Sequence, residues 1–199
     1  DMGKTLTYAE TAKLITDFAS YLQNVLKLPR GERVAIMMPN LLQYPVALFG
    51  TLQAGMVVVN TNPLYTPREL EHQLKDSGAT TIVVLENFAN TLELVLPRTQ
   101  IKHVIVASVG DMFGTIKGTL MNFVLRKIKK AVPEYRIPNA VPFQTAMKQG
   151  AALPFTKVDI TREDTAFLQY TGGTTGVAKG AVLSHGNICA NMQQAAEWI

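Results

Sequence analysis

Arg33–Asn60 reads RVAIMMPNLLQYPVALFGTLQAGMVVVN. Its two ends, Arg33–Met38 and Met56–Val59, are short apolar runs of Val, Ile, Ala and Met that read as buried strands. Pro39-Asn40 breaks the first run, and Tyr44–Ala54 is then long enough for a helix, closed by Gly55. Strand, helix, strand at this spacing is the repeating unit of a parallel sheet. Val34–Pro67 carries no Asp, Glu, Lys, Arg or His over 34 residues, so a membrane span has to be weighed. Pro39, Asn40, Gln43, Pro45, Gln53, Asn60 and Asn62 interrupt it, and no run of about 18 apolar residues survives. Buried strands and a buried helix account for it better.

The alternation extends both ways. Upstream, Thr7 and Glu10 have the spacing of a capping box, and Leu14, Ile15, Phe18, Tyr21, Leu22 and Val25 follow helical spacing. That helix ends before Pro29, with Gly31 in a turn. Downstream come a helix at Pro67–Ser77, a strand at Thr81–Leu85, a helix at Phe88–Leu96 and a strand at His103–Ala107. The fold class is therefore α/β, a mostly parallel sheet with flanking helices. Ser108–Lys157 interrupts the pattern with Gly110, Gly114, Gly118, Pro133, Pro138, Pro142, Gly150 and Pro154, and reads as an insertion around one helix at Thr115–Ala131. Thr165–Tyr170 and Ala181–Ser184 are again strands, and a last helix starts near His185 or Gly186. The chain opens on Asp1-Met2-Gly3 without an apolar leader and stops at Glu197-Trp198-Ile199 inside that helix; both ends read as cut.

Composition bounds the function classes. The 199 residues are 47% apolar and 17% charged, a globular balance. A net charge of +4 is too small to argue for nucleic acid, and no nucleic-acid partner is expected. The single cysteine, Cys189, excludes an internal disulfide framework, fits a reducing cytoplasmic compartment, and reads as a small buried hydrophobe.

Between the last two strands lies YTGGTTGVAKG, Tyr170–Gly180. Gly172, Gly173, Gly176 and Gly180 remove side chains and permit positive φ, so backbone N–H groups can converge on an anion. Thr171, Thr174 and Thr175 add hydroxyls, and Lys179 adds a fixed positive charge for phosphate oxygens. An ordinary turn needs one or two glycines, not four with three threonines. The loop is not a Walker A motif, because Ala178 precedes Lys179, Gly180 follows it, and a strand comes next instead of a helix.

FLQYTGGTTGVAKG, Phe167–Gly180, closely resembles the phosphate loop of the adenylate-forming superfamily: acyl-CoA synthetases, luciferases and peptide-synthetase adenylation domains. LTYAE at Leu6–Glu10 and LQAGMVVVNTNP at Leu52–Pro63 resemble its first two core motifs, in the right order. MMPNLLQYPVALFG at Met37–Gly50, NPLYTPRELEHQLKDSGA at Asn62–Ala79 and the pair Gly172-Gly173 look like bacterial long-chain fatty acyl-CoA synthetases. Ala178 departs from the pattern, since many relatives carry proline before the lysine. The resemblance implies a partial N-terminal domain whose parent uses ATP and Mg²⁺ to turn a fatty acid into acyl-adenylate and then, with coenzyme A, into acyl-CoA. It makes Lys179 and Thr174 the catalytic candidates and assigns phosphate contacts to Tyr170, Thr171, Gly172, Gly173, Thr174, Thr175, Gly176, Val177, Ala178, Lys179 and Gly180. No magnesium ligand can be named, because the resemblance places the family's adenine, metal and acyl-pocket motifs downstream of Ile199.

Other candidates have plainer readings. Tyr65, Arg68, Glu69 and His72 form a polar cluster that reads as a solvated helix face, with Thr66 or Asn62 as its cap. His103 reads as polar packing and His185 as helix entry. The helix TIKGTLMNFVLRKIKKA, Thr115–Ala131, puts Ile116, Leu120, Phe123, Val124 and Ile128 on one arc and Arg126, Lys129 and Lys130 opposite, with Lys127 at the arc's edge. It can lie on an anionic membrane or pack its arc on the sheet. An unpaired edge on the strand Thr165–Tyr170 is expected, which a second copy of the chain would cover as a homodimer. The rivals to a long-chain ligase are an aryl or medium-chain acid:CoA ligase and a non-catalytic nucleotide-binding or membrane-docking module.

Overall fold

A computed structural model describes residues 3–171 and 178–198. Among them, seven strands form one sheet: β1 (Arg33–Met37), β2 (Val57–Asn60), β3 (Thr81–Leu85), β4 (His103–Ala107), β5 (Val141–Pro142), β6 (Thr165–Thr171) and β7 (Lys179–Ser184). The order is β5-β4-β3-β1-β2-β6-β7, parallel throughout except for the antiparallel pair β6 and β7. The flanking helices are α1 (Tyr8–Ser20), α2 (Gln43–Gln53), α3 (Pro67–Ser77), α4 (Ala89–Val95), α5 (Thr115–Phe123), α6 (Phe143–Ala151) and α7 (His185–Ala196). One π-helical turn, Tyr21–Val25, prolongs α1, and another, Val124–Ile128, prolongs α5. Among the described residues no helix is long and apolar enough to cross a membrane.

Both faces of the central strands are covered, which is why they read as continuous apolar runs instead of alternating ones. Val34, Ile36, Val58, Val83 and Ile105 point to one face and meet α1, α2 and α6 through Phe18, Leu22, Val46 and Phe143. The alternate residues Ala35, Met37, Val59, Ile82 and Val84 meet Leu70 and Leu74 of α3 and Leu92 and Val95 of α4. Local chemistry sets the helix ends. The capping box of Thr7 and Glu10 opens α1, and Thr66 with Glu69, backed by Pro67, opens α3. Thr66 is the cap and not Asn62, whose side-chain oxygen accepts from the Leu64 N–H at 3.0 Å. Gly78, at φ +64°, ends α3 in the left-handed region.

Three expectations are corrected. Ser108–Lys157 holds more than one helix: it adds β5 to the sheet and packs α6 on α1. Phe143 and Ala146 are wholly buried, and the Phe143 ring lies 5.6 Å from that of Phe18. Thr165–Tyr170 is not an open edge, because β6 is paired with β2 on one side and β7 on the other; β7 stands last in the order. Cys189 is exposed, not buried, because it rides on α7, which has no buried residue.

Candidate functional site

Thr171 ends β6 and Lys179 begins β7, and the two are directly paired, as are Tyr170 and Gly180. The antiparallel hairpin thus sets a hydroxyl-bearing and an ammonium-bearing residue opposite each other from the two sides of the glycine-rich segment, both exposed. Gly172, Gly173, Thr174, Thr175, Gly176 and Val177, to which phosphate contacts and one catalytic role were assigned, lie outside the described residues.

Five of the site candidates can be followed. Lys179 and Thr171 are the exposed pair. Gly180 is extended strand, not a positive-φ turn; a β-carbon there would stand 2.9 Å from Cε2 of Tyr170 and 3.0 Å from Cζ. Its missing side chain makes room for an aromatic ring. Tyr170 is buried, and its phenol O–H donates to Oδ2 of Asp76 at 2.5 Å. Burial pushes that phenol well above the ordinary tyrosine range, and the neighbouring Asp76 carboxylate pushes the same way, so it remains a donor at neutral pH. Ala178 is half-buried, and His72 Nε2 lies 3.0 Å from its carbonyl oxygen. A carbonyl only accepts, so Nε2 carries the hydrogen.

The carboxyl ends of β1, β2 and β6 open into a cleft of about 360 Å³ beside this hairpin, lined by Met38, Asn40, Tyr44, Asn60, Tyr65 and Gln169 among others. Ligands of open α/β sheets bind outside the carboxyl ends of the strands, where successive connections leave in opposite directions. Here β1 connects to its neighbour β2, and β2 returns across β1 to β3. Asn60 organises the floor. It accepts from the Tyr44 hydroxyl at 2.9 Å, donates to Gln169 Oε1 at 3.2 Å, and its carbonyl accepts from Gln73 Nε2 at 2.8 Å. Burial raises the phenols of Tyr44 and Tyr65, with Glu69 adding to the rise at Tyr65. A hollow of about 440 Å³, lined by Arg30, Arg33, Asp164 and His185, lies at the opposite ends of the same strands, away from Lys179. Among the described residues no three His, Cys, Asp or Glu side chains are grouped to hold a metal.

Of the polar cluster read as a solvated helix face, Arg68 and Glu69 are exposed and Glu69 serves the cap, whereas His72 turns to the hairpin. His185 is the first residue of α7, as helix entry requires. His103 opens β4 half-buried, its imidazole lowered by desolvation and then by Lys102. Sequence reasoning passed over Asn60, Gln169 and Asp76. The available signals were a polar residue closing an apolar strand, another within FLQYT, and the i,i+4 spacing of His72 and Asp76.

A long-chain-fatty-acid–CoA ligase of Haemophilus influenzae is 57% identical over 199 residues, covering 100% of this chain and 35% of that protein. One from Yersinia pestis is 56% identical over 195 residues, covering 98% of this chain and 35% of the relative. The crystal structure of a long-chain-fatty-acid-CoA ligase from Archaeoglobus fulgidus matches with a TM-score of 0.71 at 27% identity, covering 98% of this chain and 35% of that one. The chain thus spans about a third of the length of these relatives. Its residues 1–199 match the family described as AMP-binding enzyme, and the chain belongs to that family.

Proposed function

We propose that the protein containing this chain is an AMP-forming long-chain fatty acid:CoA ligase. The observation that carries the reading is the 57% identity to a ligase of that specificity along the whole of this chain. The pairing of Lys179 with Thr171 beside a cleft at the strand ends is consistent with it. In the first half-reaction the fatty carboxylate attacks the α-phosphorus of ATP, and pyrophosphate leaves with the bond's electron pair. Lys179 and Thr171 are suited to hold the charge that grows on that leaving group. Gly172, Gly173, Thr174, Thr175, Gly176 and Val177 complete the assigned loop, and Thr174 is the second catalytic candidate after Lys179. In the second half-reaction the coenzyme A thiolate attacks the acyl carbon and AMP departs. Magnesium would screen the phosphates and assist the leaving group, and this chain's part is the phosphate contacts.

The protein is proposed to work in the cytoplasm, where ATP and coenzyme A are found, with contact to an anionic membrane surface. The α5 arc is not packed on the sheet: Ile116, Leu120, Phe123 and Ile128 are 85%, 61%, 55% and 67% exposed. Gly118 and Asn122 face the body instead, Gly118 against Gly110 and Asn122 Oδ1 accepting from the Gly110 N–H at 2.8 Å. Lys117, Lys127, Lys129 and Lys130 are exposed around that apolar stripe. The homodimer has weaker support. The β7 edge could seat a second copy, but relatives nearly three times as long carry further chain that can cover it.

Acyl-CoA formation by the full-length protein across a series of acids tests the reading. Product should peak with long-chain acids, and a peak at aryl or medium-chain acids would refute the substrate class. Lys179→Ala should slow ATP–pyrophosphate exchange by about 10- to 150-fold, the worth of a charge-assisted hydrogen bond.

A further inference from the structure

The two hairpin contacts with α3 share one origin. His72 and Asp76 are four residues apart, so they stand on the same face of the helix. Asp76 holds the Tyr170 hydroxyl, and Tyr170 immediately precedes Thr171. His72 holds the Ala178 carbonyl, and Ala178 immediately precedes Lys179. One helix therefore grips both strands of the hairpin just where the paired residues Thr171 and Lys179 emerge. The helix is a firm support, with a capping box at one end, a left-handed Gly78 at the other, and Leu70 and Leu74 wholly buried in the core. Gly180 belongs to the same arrangement, because any β-carbon there would push the Tyr170 ring off its place.

Asp76 needs such an explanation. It is an exposed carboxylate in the last turn of α3, where the helix dipole favours a cation. Its contact with Tyr170 spans 94 residues of chain and serves no cap. We propose that His72 and Asp76 are positioning residues, which hold the strands so that Lys179 and Thr171 face the phosphates during adenylation. Neither touches the nucleotide; each acts through a backbone or ring that carries one that does. The inference rests on the reading of the hairpin as a phosphate site.

The test separates the two half-reactions in the full-length enzyme. His72→Ala and Asp76→Ala should each lower ATP–pyrophosphate exchange by about 3- to 10-fold, as for one lost hydrogen bond. Thioester formation from supplied acyl-adenylate and coenzyme A should stay within about twofold of the parent, because no pyrophosphate leaves in that step. His72→Gln keeps an N–H donor and should recover most of the exchange rate. Tyr170→Phe removes only the hydroxyl, keeps the ring over Gly180, and should match Asp76→Ala; with His72→Gln it decides the matter if an alanine variant does not fold. Unchanged exchange would overturn the proposal. So would equal losses in both half-reactions, which mark a general loss of structure, or a glutamine variant no better than alanine. A parent active on another acid refutes only the long-chain substrate, whereas a parent with no exchange on any acid refutes both readings.

Discussion

Replacing Arg126 by Gln should destabilise the segment that carries α5, and the structure sets the size of the effect. Glu86 is wholly buried, and its Oε2 accepts from Arg126 Nε at 2.6 Å and Nη2 at 2.5 Å. Both donors fall on one oxygen, and Oε1 has no partner. Arg126 Nη2 also donates to Ser108 Oγ at 3.1 Å. Removing one member of a buried ion pair costs about 3–5 kcal/mol, because the other charge is left in low dielectric. The Arg126 side chain is 48% exposed, so water recovers part of that, and about 2–3 kcal/mol is the expected loss. Urea unfolding of the full-length protein measures it, and peptide-resolved hydrogen exchange over residues 115–130 localises it. Glu86→Gln together with Arg126→Gln removes both charges and should regain about half of the single-variant loss. A single variant within about 0.5 kcal/mol of the parent, or a double variant no better than the sum of the singles, would refute the argument. The pair also redirects the membrane reading. Arg126 was grouped with Lys129 and Lys130 opposite the apolar arc as a basic cluster for anionic lipid, but its guanidinium is engaged by Glu86.

The vesicle experiment should therefore replace Lys117, Lys127, Lys129 and Lys130 by Gln; at about 1 kcal/mol per residue, sedimentation with anionic vesicles should fall steeply, and equal sedimentation with the parent would dismiss the contact. Phe143→Ala should cost about 3–5 kcal/mol in urea unfolding, because its wholly buried ring fills the core between α6 and α1, and a loss under 1 kcal/mol would mean that α6 is peripheral. Burial raises Asp111 from 3.8 to about 6, against the opposing hydrogen bond from the Ser108 N–H. Between about pH 4 and 6 the folded state keeps a proton that the unfolded state has lost, so this group's contribution to stability falls as pH rises and levels off above about 6. Asp111→Asn should remove that slope and add about 1–2 kcal/mol at pH 7, after allowance for solvent screening; an unchanged pH profile would count against it.

Much of this protein was legible in short-range pattern. Apolar runs of strand length, the crossover helices between them, the boxes at Thr7 and Thr66 and the closing Gly78 all depend on residues within a few positions of one another. The expectation of a phosphate loop at Tyr170–Gly180 likewise rested on neighbours in sequence, four glycines, three threonines and a lysine within eleven positions. Pairings between distant residues had no such signature. Glu86 meets Arg126 across 40 residues, and Tyr170 meets Asp76 across 94. Nothing in composition or period says which face of Thr115–Ala131 turns to solvent, and the fold answers it through the close approach of Gly118 to Gly110. The same holds for Phe143, whose segment reads as Gly- and Pro-rich insertion until α6 is seen against α1. Exposure and partnership belong to the packed chain, because they are set by what lies alongside in space, and periodicity records only what lies alongside in sequence.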